Sequence, residues 1–119
     1  MTLSSDVARL LTRELDAFVR EVDLFPDDAS LWKVVPGITN PAGTLALHIA
    51  GNLQHFVGAV LGGSGYVRDR EREFAVRGVS RDEVVAELRA AGRAVTTTLA
   101  RLDDAALGEP YPAAPNALA

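Results

Sequence analysis

The sequence contains no cysteine, one tryptophan, two histidines and few aromatics of any kind (6%) in 119 residues. It also lacks an excess of positive charge and any apolar run long enough to span a bilayer. Without cysteine there is neither a disulfide framework nor a thiolate metal site, so a metal would have to rest on nitrogen and oxygen ligands. A net charge of −4, from 12 Lys+Arg against 16 Asp+Glu, argues against the basic face that binding to nucleic acid demands. No basic segment leads into an apolar stretch at the N-terminus, and the chain is expected to be cytoplasmic, with no membrane partner. What is present is 48% hydrophobic content, enough for one compact domain.

Periodicity divides that domain into three helices and a tail. Ser4 or Ser5 can cap a first helix over roughly Asp6 to Leu24, whose Leu11, Leu15, Phe18, Val22 and Phe25 recur at intervals of four and three, the seam of a bundle. Pro26-Asp27-Asp28 stops it. Trp32, beside Leu31, Val34 and Val35 in a short connector, is expected to plug the core. A second helix should run from Pro41 to Leu61, capped by Asn40 and ended by Gly62-Gly63. Its Leu45, Ile49, Leu53, Phe56 and Val60 share an arc of about 80°, the expected buried stripe. The Gly62-Gly63-Ser64-Gly65 stretch must be a loop, and Tyr66 to Gly78 has room for a helical turn. Ser80-Arg81-Asp82-Glu83 reads as a capping box opening a third helix to about Leu102, with Val84, Leu88, Ala91, Val95, Leu99 and Leu102 inward. Its Thr96-Thr97-Thr98 run is a weak point, because β-branched residues lose side-chain freedom in a helix. The proline-rich stretch from Glu109 to Asn116 cannot be helical, which divides the chain into a bundle domain, 1–108, and an extended tail, 109–119.

Chemistry concentrates on the second helix, where His48, Asn52 and His55 flank the apolar stripe. One reading makes His48 a boundary histidine bonded to a carbonyl or carboxylate, with Asn52 serving another polar group and His55 in water. The other makes His48 a metal ligand; histidine is the commonest such ligand, but three or four must converge, and one helix rarely supplies them. An i, i+7 pair is about 10.5 Å apart along the axis, so His48 and His55 cannot easily share one ion. Further on, Arg68, Arg70, Arg72 and Arg77 alternate with Asp69, Glu71 and Glu73, a pattern that more often means a solvated, self-paired stretch than an anion site.

Trp32 with Pro36-Gly37, the run from Asn40 through His48-Ile49-Ala50-Gly51-Asn52, Gly63, Tyr66-Val67-Arg68-Asp69-Arg70 and Glu73-Phe74 together resemble the first two-thirds of a DinB-like protein. The resemblance covers roughly Leu10 to Tyr111. It implies an all-α, up-and-down helical bundle with three main helices here and a fourth missing or supplied by a partner subunit. In that superfamily a second-helix histidine, matched here by His48, joins an H-x-x-x-H pair on the last helix to hold one divalent metal such as Zn, Ni or Fe. Characterised relatives include thiol-dependent transferases and isomerases.

The H-x-x-x-H pair is not present in this sequence, which implies a fragment, a natural short form without metal, or a groove covered by a second subunit. Two functions are therefore expected to compete. One is a metal-dependent, thiol transferase-like protein with His48 on the metal, Asn52 and His55 nearby, and Arg68 or Arg70 steadying an anionic substrate. The other is a non-catalytic helical module, free of metal, that forms a homodimer or binds a protein partner through the groove left by the absent helix.

Overall fold

The structure is a computed structural model that describes residues 2–112, and within them every regular element is helical. Helix α1 spans Leu3–Asp23, α2 Ala42–Leu53, α3 Arg70–Ala75, α4 Arg81–Leu99 and α5 Asp104–Leu107; a 3₁₀ turn, Ala29–Trp32, precedes α2, and a π-helical segment, Gln54–Leu61, continues it. Helix α4 is the central element: α1 and α2 make their main contacts with it rather than with each other. This is an all-α bundle, as the sequence predicts. Among the described residues no helix is long and apolar enough to cross a membrane.

Helix α1 begins earlier than expected. Thr2, not Ser4 or Ser5, is the cap: its hydroxyl accepts from the Ser5 amide at 3.2 Å, while the Thr2 amide donates to Ser5 Oγ at 3.1 Å. Ser4 is instead buried and donates to the Leu102 carbonyl at 2.8 Å, tying the start of α1 to the segment after α4. The inward face carries Leu15, Val19 and Val22, so Val19 joins the predicted seam, whereas Leu11, Phe18 and Phe25 are only half-buried. Helix α4 follows prediction more closely. Ser80 Oγ accepts from the Glu83 amide at 3.2 Å, and Val84, Leu88, Ala91, Val95 and Leu99 are buried. Leu102 lies beyond the helix end and is half-buried, while the threonine run stays helical because Thr98 is itself packed inside.

The second helix overturns the predicted stripe. Gly43, Thr44, Ala46, Leu47, Ala50, Gly51, Gln54 and Gly58 are the buried residues, on the side of the helix away from Leu45, Ile49 and Leu53. Small side chains let α2 approach its neighbours closely; a Cβ on Gly43 would lie 2.8 Å from the Trp32 ring. Leu45 is 41% exposed, and Ile49, Leu53, Phe56 and Val60 are half-buried. The helix also starts one residue late: Pro41 occupies the cap position and Asn40 precedes it. Trp32 is the core plug expected of it, with its Nε1 donating to the Val79 carbonyl at 2.8 Å. Helix α5 was not anticipated; Asp103 caps it by accepting from the Ala106 amide at 2.8 Å. Of the predicted tail, residues 109–112 are non-helical and Tyr111 donates to the Phe56 carbonyl at 2.7 Å; residues 113–119 lie outside the described residues.

Candidate functional site

Because α1 and α2 both lean on α4, a groove of about 450 Å³ opens between them; Leu11, Leu15, Phe18, Ile49 and Leu53 line it together with the polar Glu14, His48 and Asn52. The stripe predicted to be core therefore forms part of this groove. His48 sits where the buried and groove-facing sides of α2 meet, its side chain 31% exposed. On the other flank of the imidazole is α3. Asp69 Oδ1 accepts from the Arg72 amide at 3.0 Å and starts that short helix, which places Glu73 over α2.

Glu73 is 5% exposed, and a buried carboxylate must be neutralised and hydrogen-bonded. Arg68 does both. Its Nε donates to Glu73 Oε2 and its Nη2 to Oε1, each at 2.9 Å, a bidentate fork of the kind that makes guanidinium–carboxylate pairs strong. His48 Nδ1 completes the cluster, 3.1 Å from Arg68 Nη2 and 3.3 Å from Glu73 Oε1. The carboxylate fits so closely because position 51, one turn from His48, is glycine: a Cβ there would fall 1.9 Å from Glu73 Oε2.

Aromatic rings frame the charges. Phe74 lies 4.8 Å from the His48 ring, and the guanidinium of Arg70 sits 5.0 Å above Phe74. Phe56 lies 5.8 Å below the Arg68 guanidinium and takes His55 edge-on at 4.6 Å. Burial raises the Tyr66 phenol above its ordinary value, helped by the charges of Glu87 and Glu73 and opposed by those of Arg68 and Arg72.

The predicted site residues thus separate. His48 and Asn52 share the groove, and Arg68 joins His48 through the buried cluster. Arg70 and His55 stay on aromatic rings at its margin. Within the charge run Arg68 pairs with Glu73, and that pair is withdrawn from solvent; Asp69 instead caps α3, Arg70 lies over Phe74 and Arg77 donates to the Phe74 and Val76 carbonyls. Sequence reasoning passed over Glu73 as a site residue; the available signal was Gly51 within a helix, leaving space for something to approach. Among the described residues no group of three or more His, Cys, Asp or Glu is arranged to hold a metal ion. His48 offers one nitrogen donor, Nε2, which has no protein hydrogen bond among those residues, and the oxygen donors that line the same groove are the Glu14 carboxylate and the Asn52 amide.

Compared with known families, the chain matches the model of the DinB superfamily over residues 10–119. No curated protein and no solved structure matches it.

Proposed function

Since the chain belongs to the DinB superfamily, we propose that it is a divalent-metal-dependent, thiol transferase-like protein in which His48 Nε2 is one metal ligand. The ligands still needed come from another chain, and a second copy in a homodimer, bringing its own His48, is the proposed source. One observation carries this reading: His48 borders the groove while its Nδ1 edge lies 3.3 Å from the buried Glu73 carboxylate, an acceptor of the kind that orients a metal-bound imidazole. A bound metal of this kind supplies a Lewis acid that lowers the pKa of a coordinated thiol or water. The chain's own residues do the rest. Leu11, Phe18, Ile49 and Leu53 exclude water from a substrate in the groove, and Asn52, one turn from His48, offers an amide to orient it. Arg68, with two donors spent on Glu73, acts on His48 more directly than on a substrate anion.

The test is elemental analysis of tag-free protein, with molecular mass measured on the same sample. Near-stoichiometric Zn, Ni or Fe that disappears in His48→Ala supports the proposal; a metal-free wild-type dimer refutes it. That second outcome supports the other reading, a helical module that self-associates through the α1–α2 groove, which the partial exposure of Leu11, Phe18, Ile49 and Leu53 favours. In that case His48→Ala leaves all chemistry unchanged.

A further inference from the structure

The two neighbours of His48 Nδ1 make opposite demands on it. A guanidinium can only donate hydrogen bonds and a carboxylate can only accept them, yet Arg68 Nη2 lies 3.1 Å and Glu73 Oε1 3.3 Å from the same nitrogen. Hydrogen accounting favours the arginine. Both Glu73 oxygens are already supplied by the Arg68 fork at 2.9 Å, so the carboxylate does not depend on the imidazole. Arg68 Nη2 carries a second hydrogen. The side chain is only 11% exposed, and the acceptor within reach of that hydrogen is the Nδ1 lone pair.

We propose that Arg68 holds His48 in the tautomer with the proton on Nε2, so that Arg68 and Glu73 form a two-position selector for the ligand class His48 accepts. In the resting position Nδ1 accepts from Arg68, and the free edge of the ring is an N–H donor suited to an acceptor such as a carboxylate or carbonyl. In the other position Nδ1 carries the proton and donates it to Glu73 Oε1 while Arg68 Nη2 withdraws, and the free edge becomes a lone pair suited to a cation. The proton moves between ring nitrogens through solvent, and the charge of the cluster does not change. This deepens the proposed function, resting on it only for the second position: a metal at Nε2 must first turn the selector.

The resting position is tested without any metal. With the only other histidine removed as His55→Gln, imidazole ¹⁵N shifts of the neutral ring in chelator-treated protein report His48 alone. The expected pattern is Nε2–H in roughly tenfold or greater excess, the preference that one charge-assisted hydrogen bond confers. Arg68→Met should move the ring toward Nδ1–H, and Arg68→Lys should restore Nε2–H. A wild-type ring that is mainly Nδ1–H, or an Arg68→Met ring that keeps the wild-type ratio with the fold intact, overturns the proposal. A wild-type ring that is mainly Nδ1–H refutes it even if Arg68→Met fails to fold. Absence of metal binding in a later Zn²⁺ titration would refute the metalloprotein reading and leave this result standing.

Discussion

Replacing Gly51 with alanine is the sharpest perturbation of the cluster, because one methyl group sets a small gain against a large loss. In an ordinary helix interior the change stabilises by about 1 kcal/mol, since alanine loses less backbone freedom on folding. Here the new Cβ would lie 1.9 Å from Glu73 Oε2 and 2.6 Å from its Cδ, closer than packed atoms approach. Glu73 must retreat, yet it is 5% exposed and held by two 2.9 Å bonds to Arg68. Disrupting a buried ion pair costs about 3–5 kcal/mol. The balance is a net loss of about 2–4 kcal/mol, a large share of the roughly 5–15 kcal/mol that stabilises a domain.

Equilibrium urea unfolding, followed by helical circular dichroism, measures this, with Gly92→Ala as the internal comparison. Gly92 lies within α4, and a Cβ there would meet nothing closer than Leu15 Cδ1 at 3.8 Å, so that variant should gain about 0.5–1 kcal/mol. The same substitution is thus expected to have opposite signs at two helical sites. In the double variant Gly51→Ala, Glu73→Ala the clash is gone, and alanine at position 51 should recover its helix-propensity gain, giving strongly non-additive energies. If Gly51→Ala stabilises as Gly92→Ala does, or if the double variant is additive, Glu73 does not rest against α2 and the account of the cluster fails.

Three further outcomes follow from other parts of the fold. Trp32→Phe keeps an aromatic plug but leaves the Val79 carbonyl without the indole donor at 2.8 Å, and should cost about 1–3 kcal/mol in the same unfolding assay; a neutral result would mean that this bond contributes nothing. Ser80→Ala removes the hydroxyl that accepts from the Glu83 amide and should cost about 1 kcal/mol, whereas Ser80→Gly should cost only a few tenths; equal losses would refute the capping role. Tyr66 and Tyr111 both have phenol pKa values raised by burial, so the folded state keeps protons that the unfolded chain releases. Stability from these groups is full below about pH 10 and falls as pH rises through the folded values, and Tyr66→Phe should flatten that fall; an unchanged alkaline slope in the Tyr66→Phe, Tyr111→Phe double variant would refute it.

What could be read from the sequence depended on how each helix packs. Helices α1 and α4 bury branched side chains against each other, and their four-three spacing located Leu15, Val22, Val84, Leu88, Val95 and Leu99 correctly. Helix α2 packs through glycine and alanine, so its most hydrophobic face is not its buried face. Hydrophobic periodicity measures which side chains gain most by leaving water, but close helix approach depends on which side chains take least space. Where the two conflict, as between Leu45 and Ala46 or Ile49 and Ala50, the small residues win the interior and the large ones line a groove. The same logic hid the site. His48 was legible because it stands at the edge of that reading, but its partner lies 25 residues on, in a run whose alternating charges look solvated. Only the pairing of a helical glycine with a distant acid explains why Glu73 alone in that run is buried, and neither residue signals it separately. His48 is therefore held by a clash that Gly51 avoids and a charge that Arg68 cancels, which makes the glycine as much a part of the site as the histidine.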